Sequence, residues 1–203
     1  GLVAVMVKRG VKTLGFIGRN DPYGENWHKT FTPMAQKAGI QIVANERYAR
    51  TDTSVEAQVL KILAAKPDAV LIGGSGTPGA LPAISLAGRG YKGAVYGNHG
   101  MVNPDFLRVG GKSVEGLIAP TGPLVVVELL PDSSPVKSIA SSFVKAYDAA
   151  YGVQNRNAFA GYAYDANVLL EKAVPEAMKT AKPGTPAFRA ALRNALENLR
   201  EVA

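Results

Sequence analysis

Up to Pro120, hydrophobic positions fall into short, Gly-bounded apolar runs separated by amphipathic stretches. This alternation is expected of repeated βα units around a parallel sheet, giving an α/β fold of three layers with helices on both faces. Residues 13–18 (TLGFIG), 41–44, 69–73 (AVLIG) and 94–97 read as successive strands. Between the first two, Trp27, Phe31, Met34, Ala35 and Ala38 share one helical face, and Gly39 stops the helix. Pro33 has no N–H to donate and is expected to kink it. Thr53 and Glu56 have the hydroxyl-to-carboxylate spacing of a capping box, so the next helix is expected from near Ser54, with Val55, Val59, Ile62 and Leu63 as its apolar stripe. Pro67 closes that helix, and a Gly-rich turn after the third strand leads into another, ending near Gly90. A loop holding His99, a short helix around 104–109 and a fifth apolar run at 116–119 complete the series.

Beyond Pro120 the pattern changes. Residues 121–135 hold three prolines, and thereafter only helical periodicity remains. Val136, Ile139, Phe143 and Tyr147 mark one helix; Phe159, Tyr162, Ala166, Leu169 and Ala173 mark a second. Phe188, Ala191, Leu192, Ala195 and Leu199 mark a third, capped by Thr185 with Pro186 in its first turn. A boundary is therefore expected near Leu130, with 1–130 as one lobe and 131–203 as helices whose stripes must be buried on something, a second copy of the chain included.

Composition narrows the classes. The 203 residues are 47% hydrophobic and 19% charged, the profile of a globular chain rather than a disordered or fibrous one. No apolar run reaches the ~20 residues of a bilayer span, and residues 1–10 lack a signal peptide's apolar centre and cleavage site. Zero cysteines and two widely spaced histidines exclude disulfides and thiol nucleophiles and leave little for a metal site, so no cofactor is expected. The net charge of +7 could signal nucleic acid, but the 23 Lys and Arg neither cluster nor interleave with aromatics. A solvated basic surface is the reading, with no nucleic-acid partner.

Gly74-Ser75-Gly76-Thr77-Pro78-Gly79 spells G-x-G-x-x-G after a strand and before a helix. The next strand nevertheless ends in Asn98-His99, not in the acid a dinucleotide's ribose requires, and Pro78 removes an amide from the turn. A smaller polar ligand meeting Ser75, Thr77 and the Gly76 backbone fits better. The loop also approaches the nucleophile elbow G-x-S-x-G, but Thr77 replaces the last glycine. His28 is expected on the polar side of the first long helix. His99 lies after a parallel strand, where open α/β sheets bind ligands, and Tyr23, in the loop 20–24 after the first strand, emerges at the same edge. An aromatic ring, hydroxyls and an imidazole gather there without paired carboxylates, metal ligands or a phosphate-binding lysine. Binding is better supported than catalysis, and an enzyme is not expected.

The segments GFIGRNDPYGENW (15–27), DTSVEAQVLKILAAKPDAVLIGGSGTPGALPAISLAGRGYKG (52–93), YGNHG (96–100) and FAGYAYDANVLLEKA (159–173) together resemble the type I periplasmic binding proteins of the leucine/isoleucine/valine-binding family. The resemblance implies two α/β lobes that close over a small ligand and deliver it to an ABC permease in the membrane, in the periplasm. It also implies that this chain begins about where lobe two begins and ends before the last strands, the helices after 135 covering a lobe-one sheet that the sequence does not contain. Carried over by position, Tyr23, Ser75, Gly76 and Thr77 match ligand-facing residues, and Phe159 opens a helix near the family's hinge. His99 stands where amino-acid-binding members carry an acid for the ligand's ammonium. An imidazole can donate to a carboxylate or phenol instead, so an aromatic or other organic acid is the first expectation and a branched-chain or related amino acid the second. A ligand-sensing domain of a receptor or transcription regulator would use the same fold and is the alternative.

Overall fold

The computed structural model describes residues 1–200 and 202, in two compact units dividing between Thr121 and Gly122. In the first unit, α1 (Leu2–Lys8) precedes β1 (Thr13–Arg19), α2 (Pro22–Lys37), β2 (Gln41–Tyr48), α3 (Glu56–Ala64), β3 (Ala69–Gly73), α4 (Ala80–Gly88), β4 (Ala94–Gly97) and α5 (Pro104–Gly110). The four strands form one all-parallel sheet in the order β2-β1-β3-β4. Successive residues of a strand face opposite layers. Leu14, Phe16, Leu71 and Tyr96 accordingly pack with Met6, Phe31 and Ala35 of α1 and α2, whereas Ile17, Val70 and Ile72 pack with Val59 and Ile62 of α3 and Ala83 and Leu86 of α4. Both faces are covered, which is why β1 and β3 are unbroken apolar runs. At the amino edge, the Asp68 carboxylate accepts the backbone N–H groups of Lys12 (2.9 Å) and Thr13 (2.7 Å), tying the start of β1 to that of β3.

Several local expectations change. The buried stripe of α2, a helix with Pro33 inside it, narrows to Phe31 and Ala35 while Met34 stays half exposed. Helix α3 starts at Glu56, not Ser54: Val55 turns into the core, and Glu56 bonds Ser85 and Arg89 of α4 instead of closing a capping box. Core burial of Val55 and the tie between α3 and α4 decide the start against local capping. The fifth apolar run makes a single bridge, Tyr96 to Ile118, and no strand.

His28 is not on a free polar side. Its ring meets Phe16 edge-on at 5.1 Å, and burial, with the nearby Arg47 cation, lowers its pKa despite Glu25. The folded state therefore resists protonating it, and the unfolded chain takes up the proton first. Stability is expected to be full above the ordinary histidine value of 6.5 and to decline as pH falls below it. Thermal melts between neutral pH and about pH 5 should show this slope, and His28→Gln should flatten it.

In the second unit, a 3-10 segment (Pro123–Leu129) packs Leu124 and Val127 on Ala140, Phe143 and Val144 of α6 (Lys137–Tyr151). The apolar residues just before Leu130 thus belong with the helices that follow them. Arg156 pairs with Asp148 and Glu128, fixing the approach to α7 (Ala158–Met178), which packs along α8 (Pro186–Asn198). The Thr185 hydroxyl caps α8 by accepting the Phe188 N–H at 3.1 Å. No helix among the described residues is long and apolar enough to cross a membrane.

Candidate functional site

The spatial order β2-β1-β3-β4 places the topological switch between β1 and β3, since the connection from β1 runs to one side of the sheet and β3 is laid on the other. At such a point the two carboxyl-end loops diverge and leave a crevice. Arg19, the last residue of β1, stands there with a side chain only 11% exposed. Its Nε (2.7 Å) and Nη2 donate to Oδ2 of Asp21, its Nη1 donates to Oγ of Ser75 (2.6 Å), and its guanidinium lies 5.3 Å from the centre of the Tyr23 ring.

Asp21 caps α2, its Oδ1 accepting the Gly24 N–H at 3.0 Å. Partial burial would raise its pKa, but the hydrogen bonds from Arg19 and Gly24 and the Arg19 charge outweigh that and hold it below the usual carboxylate value. Tyr23 consequently sits in the first turn of α2 rather than in a loop. Gly24 lets that turn approach the strand: a Cβ there would stand 2.0 Å from the Arg19 carbonyl oxygen.

The loop after β3 carries Ser75 and Gly76, with Thr77 exposed at the start of a 3-10 turn (Thr77–Gly79). Gly76 has φ +60° and ψ −158°, a conformation essentially reserved for glycine. Its N–H donates to the Gly100 carbonyl at 3.1 Å, joining the loops after β3 and β4. Buried Asn98 fixes the latter loop by accepting the Gly100 N–H at 2.9 Å. A Cβ on Gly100 would lie 2.4 Å from the Tyr23 hydroxyl and 2.9 Å from Cβ of Ser75, so residues from three loops meet at this glycine. His99 lies beside them, its ring 6.5 Å from Tyr23 and 5.8 Å from Trp27. Beneath Gly74 is the buried Tyr48 hydroxyl; burial pushes its pKa well above the phenol range.

Tyr23, Ser75, Gly76, Thr77 and His99 are therefore gathered at one sheet edge. Phe159 lies in the second unit, in the first turn of α7 after the Asn157 cap, 48% exposed and edge-on to Tyr162 at 5.9 Å. The residues missed by sequence reasoning are Arg19 and Asp21. Their signal was available: opposite charges two apart at the end of an apolar strand, immediately before a helix cap.

A doubly wound sheet with polar and aromatic side chains converging at its switch point has the arrangement at which open α/β domains bind ligands. The chain belongs to the periplasmic binding protein family, whose profile matches residues 1–202. No curated protein matches it. Among solved structures, two extracellular ligand-binding receptors from Rhodopseudomonas palustris, one of them from strain HaA2, are each 45% identical over 100% of this chain. Their TM-scores are 0.91 and 0.92, and the match spans 56% and 57% of their own chains. A leucine-binding protein from Thermotoga maritima shares the fold at TM-score 0.77 and 23% identity, covering 96% of this chain and 52% of that one. The chain thus spans about half the length of the solved structures it matches, and its parallel sheet with flanking helices is the type I periplasmic binding protein fold.

Proposed function

We propose that this chain is part of the extracytoplasmic solute-binding component of an ABC importer, taking a small organic acid, aromatic acids first and branched-chain or related amino acids second. Tyr23, Ser75, Gly76, Thr77 and His99 would contact the ligand, with Phe159 a further contact, and no chemical step is assigned to any of them. The observation that carries the reading is the Gly100 junction, where Tyr23 and Ser75 meet at the switch point with His99 next in the chain. Hydroxyl and imidazole donors there suit a carboxylate or phenol. The helices after the second unit's start would cover the sheet of another lobe, as the relatives' greater length allows.

A thermal-shift panel on the full-length protein, comparing aliphatic amino acids with aromatic acids, tests this, because a ligand that binds only the folded state raises Tm. Aromatic acids should give the largest rise. A response confined to amino acids would reverse the order of the two ligand classes, and no response to either would remove the reading. The same fold would serve a receptor's sensing domain, and ligand uptake that depends on the protein separates transport from sensing.

A further inference from the structure

Arg19 is a cation held at the switch point with part of its hydrogen-bonding capacity unspent. A guanidinium carries five N–H groups in a rigid planar array. Nε and Nη2 donate to Asp21, and Nη1 donates to Ser75. Each Nη bears two hydrogens, so among the described residues one N–H on each of them remains uncommitted. Ser75 contributes as well: its oxygen accepts from Arg19, leaving its own proton to donate elsewhere. The Tyr23 ring under the guanidinium and the short bonds to Asp21 and Ser75 fix the direction of the whole group. His99 stands beside Tyr23.

The single carboxylate joined to this group, among the described residues, is Asp21, and it is engaged on both oxygens, Oδ2 by Arg19 and Oδ1 by the Gly24 N–H. An ammonium seeking its remaining lone pairs would lie against the Arg19 guanidinium. The cluster is thus supplied with donors for an anion and opposed to a second cation. We propose that Arg19 is the specificity-determining residue of this site: it grips the ligand's carboxylate jointly with the Ser75 hydroxyl, and together with its Asp21 partner excludes ligands that carry an α-ammonium. This rests on the solute-binding reading above and names the residue that selects within it.

The test compares ligands differing in one group, by calorimetry on the full-length protein. Hydrocinnamate and isocaproate are phenylalanine and leucine without the ammonium; hydrocinnamamide is the uncharged counterpart of hydrocinnamate. The wild type should bind each ammonium-free acid at least about tenfold more tightly than its amino acid and than the amide, the scale of one charge-assisted hydrogen-bonded contact. Arg19→Gln should lower acid affinity by on the order of ten- to a hundredfold while changing amide affinity little, so that the acid-to-amide ratio collapses. A residue that merely held the loops in place would weaken acid and amide alike and leave the ratio unchanged. Arg19→Lys, which keeps the charge without the planar fork, should retain part of the ratio, and it provides the measurement if the glutamine variant does not fold. An unchanged ratio in these variants, or tighter binding of leucine or phenylalanine than of their ammonium-free acids by the wild type, overturns the role of Arg19. Failure of the wild type to bind any of these acids or amino acids overturns the solute class itself.

Discussion

Gly24→Ala is expected to destabilise the first unit by about 3 kcal/mol, near the upper end of overpacking costs. The new methyl would be placed 2.0 Å from the Arg19 carbonyl oxygen and 2.6 Å from its nitrogen, both backbone atoms in a strand paired on two sides. Nothing flexible is available to yield, so either the start of α2 or the end of β1 must move. The Asp21 cap spans the same gap through its bond to the Gly24 N–H and would be strained with it. For a chain of this size, a loss of that order corresponds to a Tm lower by roughly 6–12 °C, measurable by scanning calorimetry. A melt within a degree of wild type would show that the helix start tolerates displacement. Because Arg19 is the residue crowded, the variant should also lose ligand affinity at temperatures where it remains folded.

The second large effect concerns the helical unit. Ile139 (52% exposed), Phe159, Tyr162, Tyr164, Leu169, Leu170 (42%) and Met178 carry apolar surface into solvent, while the fully buried side chains of α7 are small, namely Ala158, Ala173 and Ala177. On α7, Phe159, Tyr162, Leu169 and Leu170 recur at helical spacing and so share one side of the helix, and an exposed apolar stripe of this kind marks a surface that meets another. Produced as residues 1–203 alone, the chain is expected to bind a hydrophobic dye strongly and to sediment as concentration-dependent oligomers. Leu169→Glu combined with Leu170→Lys should restore a monomer with little loss of helicity, since both side chains are already partly in water. A monodisperse monomer of the unsubstituted chain with no dye binding would refute the expectation. Each such side chain is already about half buried, so covering the remainder contributes on the order of 1 kcal/mol, and the covered state should melt above the isolated one.

How much of this was legible in sequence depends on the range of the interactions responsible. Strands β1 and β3 were readable because both faces are buried and the apolar runs are uninterrupted. Thr185 and Pro186 announced α8 through a local cap. The start of α3 was not readable, because Glu56 answers to Ser85 and Arg89, some thirty positions away, rather than to Thr53. His28 was misplaced for the same reason: Phe16 and Arg47 come to it from neighbouring strands. In the site, Tyr23, Ser75 and His99 could be assigned to one edge from strand order alone. The bond from Arg19 to Ser75 could not, since it joins positions fifty-six apart, and it became visible only once the sheet had brought β1 and β3 side by side.

The strand order also bears on how the first unit is made. When β2 emerges during synthesis, β1 is already present to receive it; β3 then finds the other edge of β1 free, and β4 finds the outer edge of β3. At no stage must a formed pairing open to admit a later strand. Parallel pairing imposes long loop closures and slow folding, but here each closure is completed in the order in which its parts are synthesised. The pairing of β1 with β3 forms second, after that of β1 with β2, so the bond from Arg19 to Ser75 can close before β4 and His99 have left the ribosome. A nascent chain whose residues through Gly79 have all left the ribosome should therefore already protect the β1 amides that face β3 from exchange, whereas one with β3 still inside it should protect only those that face β2.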